Sequence, residues 1–343
     1  MPDRIPIILD VDTGIDDAMA LLYACGSPEV ELVAVTCVSG NVGARQVAEN
    51  TRALLELVGR GDVEVALGRE VPLVRPLMTS PETHGPRGIG YATLPPASRP
   101  LSSRHAADLI ADEARRRPGE VTLVAVGPQT NIAVALQREP ALTGLLRRFV
   151  FMGGAFRAPG NTTPVSEWNV AVDPDAAKAV ADAFGTDAFR ASGRPLPLAL
   201  GLDVTEQAIV RPADLDRLYA RAGGTPATDP VLRFIADALR FYVEFHERYD
   251  GFSGAHMHDP LALAAALDPT LVTTEPVTVD VELTGTLTGG QTVADWRHHW
   301  GRPPNMDVAV AVRAADFLER FIDRVGALVA SVRPPRTPPG VRP

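Results

Sequence analysis

Asp10, Asp12, Asp16 and Asp17 place four carboxylates in the eight-residue run Asp10-Val11-Asp12-Thr13-Gly14-Ile15-Asp16-Asp17. Two like charges about 4 Å apart repel by roughly 4 kcal/mol at an effective dielectric near 20. A helix N-terminus offsets only about 0.3–1 kcal/mol per charge. Raised pKa values take up part of the repulsion. An all-oxygen set of this density more naturally holds a hard divalent cation, Ca²⁺ or Mg²⁺. Helix capping is the plainer alternative, but four acidic residues with two on a strand end exceed what capping uses.

The flanks say how the cluster is carried. Ile5, Ile7, Ile8, Leu9 and Val11 read as a buried strand, and Ala18, Met19, Leu21 and Leu22 recur at helical spacing after the turn. Asp10 and Asp12 then share one side of the strand end, while Asp16 and Asp17 fall in the first helical turn. Residues 31–38 form a second expected strand ending at Ser39-Gly40-Asn41, 44–59 an amphipathic helix and 63–67 a short strand. Strand, helix, strand predicts an α/β fold with an open, largely parallel sheet flanked by helices.

From Gly68 to about Pro100 the chain is rich in Pro and Gly, a long loop of the kind that serves as a lid. A helix over 103–117 leads to strand 121–127, and Phe149 to Gly154 repeats the strand-then-glycine pattern. Ligands bind beyond the carboxyl ends of such strands. In the following segment, Glu167 and Asn169 face one side and Trp168 the other if the chain is extended. Asp173-Pro174-Asp175 caps a helix to about Phe184, and a helical region over 212–249 breaks near Gly223-Gly224. Asp259-Pro260 starts the apolar helix Leu261 to Leu267, with an N-cap role for Asp259 as one reading. Strands over 277–283 and 307–312 and a helix over 314–330 close the chain.

The 343 residues suit one α/β domain over 1–331, and the Pro/Arg-rich end, 332–343, reads as a disordered tail. No apolar run approaches the roughly 18 residues of a membrane span. The short polar start leaves no room for a signal peptide, so a cytoplasmic location is expected. The net charge of -9 argues against nucleic acid or an acidic membrane as the main partner and leaves small neutral substrates open. Cys25 and Cys37 lack metal-ligand spacing and read as free buried thiols.

The run Leu9-Asp10-Val11-Asp12-Thr13-Gly14-Ile15-Asp16-Asp17-Ala18 resembles the N-terminal signature of the inosine–uridine-preferring nucleoside hydrolases. Ser39-Gly40-Asn41, the strand and turn from Val124 to Ala133, Met152-Gly153-Gly154, Asn161, Glu167-Trp168-Asn169-Val170, Val172 to Ala177 and His258-Asp259-Pro260 are similar to that family too, in its order, over about residues 5–325. Thr13 stands where many members have proline, and Val126 where many have threonine.

The resemblance implies a Rossmann-like fold and Ca²⁺-dependent hydrolysis of ribonucleosides to free base and ribose. Asp12, Asp17, Asp259 and the backbone carbonyl of Val126 would ligate Ca²⁺, with Asp12 also the general base on the attacking water. Asp16, Asn41, Asn161, Glu167 and Asn169 would hold the ribose hydroxyls, and Asp10 would support the cluster from behind. His258 is the candidate acid for the leaving base. His84, His256 and Trp168 are candidates for contact with the base, although the alternation around Trp168 favours packing behind the site and loop histidines are often only solvated. His298 and His299 read as surface residues. A homodimer or homotetramer with a small nucleoside as its substrate is what the family likeness suggests.

Two other functions compete. Asp10-Val11-Asp12-Thr13 superficially resembles the aspartyl nucleophile motif of haloacid dehalogenase-type phosphohydrolases, but that chemistry wants a cation on the phosphoryl group. The only lysine, Lys178, lies in an expected helix far along the chain. A non-catalytic nucleoside- or Ca²⁺-binding protein on the same scaffold is the other reading. Neither Gly127 nor Gly153-Gly154 is followed by a phosphate-loop lysine.

Overall fold

The computed structural model describes residues 4–332. The expected tail, 332–343, lies outside the described residues apart from Val332. Strands β1 (Ile5–Val11), β2 (Val30–Cys37), β3 (Glu64–Leu67), β4 (Thr122–Ala125), β5 (Arg148–Met152) and β6 (Leu198–Leu200) pair in parallel. Two short pairs, β7 (Ile209–Val210) with β8 (Ala255–His256) and β10 (Val279–Val281) with β11 (Thr292–Ala294), stand apart from the main sheet. Strands β9 (Val272–Val277) and β12 (Met306–Val312) complete the eight-stranded sheet, in the order β3-β2-β1-β4-β5-β6-β12-β9. All its pairings are parallel except β12 with β9.

Period-two alternation assigns the strand side chains to two cores. Ile7, Leu9 and Val11 of β1 and Val124 of β4 face the helices Ile15–Gly26, Ala44–Leu57, Pro230–Tyr249, His258–Leu267 and Ala314–Val332. Ile8 of β1 and Leu123 and Ala125 of β4 face the helices Ala106–Arg116, Thr130–Arg138 and Pro174–Phe184. The chain winds outward from β1 through β2 to β3, then resumes on the other side of β1 with β4. The strand order therefore reverses between β1 and β4, where open α/β sheets form a crevice at their carboxyl ends. The acidic turn follows β1 and Val126 follows β4, so both sit at that crevice.

From Pro260 on, the helix His258–Leu267 is apolar on every side, and its residues through Ala266 are all buried. A helix with no polar face has to be covered all round. It packs on the helix Ile15–Gly26 and on β4 and β5, which brings Asp259 to the acidic turn.

Three local expectations are corrected. Strand 277–283 is not continuous: β9 ends at Val277, and β10 belongs to a separate hairpin. Strand β9 lies at the sheet edge, where Pro276 costs no central-ladder hydrogen bond. Trp168–Val172 is a short helix rather than extended chain, because the Glu167 carboxylate accepts from the backbone N–H groups of Asn169 and Val170 and caps it. Asp259 is not an N-cap; Met257 holds that position and leaves the Asp259 carboxylate free of capping. Cys37 is buried as expected, Cys25 only half-buried, and both are free.

Leu263 is fully buried in the helix that carries Asp259. Leu263→Ala is expected to cost about 2–5 kcal/mol of stability in urea denaturation; a loss under about 1 kcal/mol would contradict the placement of this helix in the core.

Candidate active site

The acidic turn is built from the backbone outward. Asp17, in the first turn of the helix Ile15–Gly26, reaches back so that its Oδ1 accepts from the N–H of Asp12 (3.0 Å) and its Oδ2 from the N–H of Gly14 (2.8 Å). The capping role weighed from the sequence is therefore real for Asp17. Asn41, from the turn after β2, donates its backbone N–H to Asp12 Oδ2 (2.8 Å) and its side-chain amide to Asp17 Oδ2 (3.2 Å). Asp12 lies between two glycines. A Cβ on Gly40 would stand 2.1 Å from its Oδ2, and one on Gly127 2.9 Å from its Oδ1, so no larger residue fits at either place without displacing the carboxylate. Asp10 sits behind Asp12, with its Oδ1 accepting from Thr36 Oγ1 and from Asn131 Nδ2 (2.8 Å).

The structure brings Asp259 to this corner. Asp16, Asp17 and Asp259 each offer a carboxylate oxygen within 4.8 Å of the others. All of Asp10, Asp12, Asp16, Asp17 and Asp259 are buried. Burial drives the Asp10 pKa up to about 7 against the pull of Thr36 and Asn131. Burial, then the charge of Asp17, raises Asp16 to about 8. Asp12 is pushed well above the usual carboxylate range by burial and next by Asp17, and Asp259 by burial and next by Asp16 and Asp17. Asp17 is raised too, by burial, although the N–H groups of Gly14 and Asp12 oppose the shift. Among the described residues, the buried Asp12 Oδ1 and Asp10 Oδ2 have no hydrogen-bond donor. Orphaned buried carboxylate oxygens beside three clustered ones fit a hard cation.

Beyond the turn lies a cavity of about 560 Å³. Asp16, Asn41, Val126, Asn161, Glu167, Trp168, His84, His256, His258 and Asp259 all line it, whereas Asp10, Asp12, Asp17 and Asn169 are buried and are not among its lining residues. The structure also shows what else they do. Asn169, buried beside them, donates its amide to the carbonyls of Val126 (2.8 Å) and Met152 (3.2 Å), joining the ends of β4 and β5. Glu167 accepts from the backbone N–H groups of Gly154, Asn169 and Val170, and burial raises its pKa. Asn161 is exposed, and its Oδ1 accepts from the N–H of Trp168 (2.9 Å). Trp168 lines the cavity rather than packing behind it, since the helix it opens turns it toward the void.

Four imidazoles and a tyrosine form one wall. His84 is buried rather than solvated, with its Nδ1 accepting from the N–H of Ile15 (3.1 Å). Burial holds it down to about pKa 3 and does the same to His256. His258 is depressed well below 6.5, first by burial and then by His256, and its Nδ1 is 2.8 Å from Thr205 Oγ1. Ring centroids run His258 to His256 at 5.1 Å, His256 to His246 at 4.7 Å and His246 to Tyr242 at 4.3 Å. His298 and His299 are exposed, as expected.

Sequence reading missed Ser80, Tyr242, Phe245, His246 and Tyr249 as individual site residues. The last four recur at i, i+3, i+4 and i+7 on the helix Pro230–Tyr249, a stripe visible in the sequence whose partner face was not. Among the described residues no lysine or arginine lines the cavity, which leaves the phosphohydrolase reading without a phosphate ligand.

The model for "Inosine-uridine preferring nucleoside hydrolase" matches residues 7–319. The chain is 39% identical over 323 residues to the pyrimidine-specific ribonucleoside hydrolase RihA of Salmonella gallinarum, covering 94% of this chain and 98% of that one. It is 40% identical over 309 residues to the inosine-uridine preferring nucleoside hydrolase of Leishmania major, covering 90% and 92%. A solved structure, the purine-preferring ribonucleoside hydrolase from Gardnerella vaginalis, superposes with a TM-score of 0.86 at 34% identity, covering 95% of this chain and 99% of that one. With an acidic corner at the sheet crevice and an uninterrupted match over the elements that build it, the chain belongs to the inosine-uridine preferring nucleoside hydrolase family and is a ribonucleoside N-glycosidase.

Proposed function

We propose that the hydrolysis is Ca²⁺-dependent and that Asp12 is its general base. The observation that carries this reading is the meeting of Asp259 with Asp16 and Asp17 beside the donor-free Oδ1 of Asp12. Asp12, Asp17, Asp259 and the Val126 carbonyl would hold the ion, and Asp16 would face the ribose. When bound, the cation neutralises the carboxylates together, acidifies a nearby water and grips vicinal hydroxyls.

The chain's own residues then perform the reaction. Asp16 and Asn41 face the sugar side of the cavity, while Asn161, Glu167 and Asn169 close around the ribose from the far side and orient its C1′. Asp12 Oδ1 takes the proton of the water as its oxygen bonds to C1′, and the electron pair of the N-glycosidic bond passes to the base. Kept neutral by burial, His258 meets the departing base as an imidazole. With the Thr205 hydroxyl donating to Nδ1, the other ring nitrogen carries the hydrogen and donates to the base. His84, His256 and Trp168 line the space for the base.

The named relatives prefer pyrimidine, inosine and uridine, or purine, so what they share is the ribose. A homodimer or homotetramer belongs to the same reading, on family likeness alone.

Asp12→Ala is expected to keep its circular dichroism spectrum and lose about 10²–10⁴-fold or more in kcat for reducing-sugar release from uridine or inosine; near-normal turnover would refute the role of Asp12. Chelation gives a second, pH-dependent expectation. Without the ion, Asp10 and Asp16 keep protons in the folded chain up to about pH 7 and about pH 8, whereas the unfolded chain releases them near pH 4. The buried histidines, depressed in the folded chain, oppose this slope up to their unfolded pKa near 6.5. Above about pH 7 they are neutral in both states, the folded state binds more protons through its carboxyls, and the Tm of chelated protein falls as pH rises to about 8. Saturating calcium flattens the fall. A Tm that climbs between about pH 7 and 8 in chelator would contradict the buried cluster.

A further inference from the structure

Asp17 takes the N–H groups of Asp12 and Gly14, which leaves Thr13, between them, to be placed by other contacts. Its hydroxyl and its carbonyl both meet the helix Ala44–Leu57, none of whose residues lines the cavity. Thr13 Oγ1 lies 2.6 Å from Thr51 Oγ1, and the Thr13 carbonyl accepts from Asn50 Nδ2 at 3.4 Å. The same Asn50 amide donates to the carbonyl of Arg87 (2.7 Å), so it ties the turn to the segment after β3. Gly88 closes over the turn at this point: a Cβ there would stand 3.1 Å from the Thr13 carbonyl oxygen. Thr13, Asn50 and Thr51 are all buried.

The direction of the hydroxyl bond follows from its other partners. Thr51 Oγ1 donates to the carbonyl of Val47 (2.8 Å), one turn back in its own helix. A hydroxyl has one hydrogen and two lone pairs, so toward Thr13 it can only accept. Its second lone pair receives the buried Cys37 thiol at 3.7 Å. Thr51 is thereby saturated, and Thr13 is the donor. For the helix alone threonine is a poor choice, since it is β-branched and bonds back onto the preceding turn where alanine would not. At this site the same hydroxyl gives Thr13 a fixed acceptor. Thr13 itself stands where many members of the family have proline, whose ring fixes φ without any partner. Threonine has no such ring, and the bond to Thr51 supplies the restraint.

Asp12 directly precedes Thr13. Its Oδ2 is held by the Asn41 N–H, while its Oδ1 has no donor, so a shift of the Thr13 backbone moves the free oxygen. We propose that Thr51, acting through the hydroxyl of Thr13, is a positioning residue for Asp12, and that this pair sets both how tightly the corner holds calcium and how well Asp12 accepts the proton of water. The inference rests on the proposed reading of Asp12 as ion ligand and base.

The test uses the full chain as wild type, Thr13→Val, Thr51→Val, the double variant and Thr51→Ser. Calcium affinity is read by titration calorimetry, and kcat and KM are read at saturating calcium on the faster of uridine and inosine. Thr51→Val is expected to weaken calcium binding and to lower kcat by about tenfold or more each, with KM changed by less than about threefold. Thr13→Val is expected to do the same, the double variant to lose no more than either single one, and Thr51→Ser, which keeps the hydroxyl, to recover both quantities. A lower Tm with calcium affinity and kcat as in wild type reduces the pair to packing and overturns the inference. Additive losses in the double variant, or a Thr51→Ser as impaired as Thr51→Val, overturn it too. If Thr51→Val does not fold, Thr13→Val carries the same expectation and the same refutation. Calcium-dependent wild type with unaffected variants overturns this inference alone, whereas wild-type turnover that needs no calcium overturns the reaction-centre reading as well.

Discussion

Like-charge repulsion between buried carboxylates governs how this molecule is put together. Asp10, Asp12, Asp16, Asp17 and Asp259 are withdrawn from water at one corner of a sheet, and among the described residues no lysine or arginine lines the cavity beside them. Each adjacent pair repels by roughly 4 kcal/mol at an effective dielectric near 20. The fold answers in part with donors: the N–H groups of Asp12, Gly14 and Asn41, the amides of Asn41 and Asn131, and the Thr36 hydroxyl. What remains is met by retained protons or by a cation, and the proposed chemistry follows from the second.

The rest of the architecture serves that corner. Reversal of the strand order between β1 and β4 opens the crevice, and two glycines let the turns after β2 and β4 close on Asp12. The helix His258–Leu267, apolar from Pro260 on, then carries Asp259 into place from late in the chain. The segment after β3 reaches back as well: His84 accepts from the first helical N–H at Ile15, and Ser80 donates to the carbonyl of Asn41. A loop without regular periodicity is thereby fastened to the helix start after the acidic turn and to the Asn41 turn beside it.

Local patterns were readable because they are local. The strand into Asp10, the helix out of Asp17 and the cap at Asp173 all follow from spacing within a few residues. The Trp168 segment was not, since its five-residue helix depends on a buried Glu167 that is also held by Gly154, a contact set by the sheet. The edge strand β9 was hidden by Pro276, which is harmless only at an edge. Asp259 entered through family likeness, because no spacing rule links a residue so far along the chain to Asp17. The aromatic stripe on the helix Pro230–Tyr249 had the right period, but a period does not say whether a face meets a core or a cavity. Trp168 and His84 were undervalued for the same reason.

The central claim is that the folded corner keeps protons until a divalent ion replaces them. Calorimetric titration of metal-free protein with calcium at about pH 6.5, in buffers of different ionisation enthalpy, counts the protons released per ion bound. The account predicts one tight site per chain with about one proton or more released. Calcium binding without proton release, or no calcium binding, would contradict it.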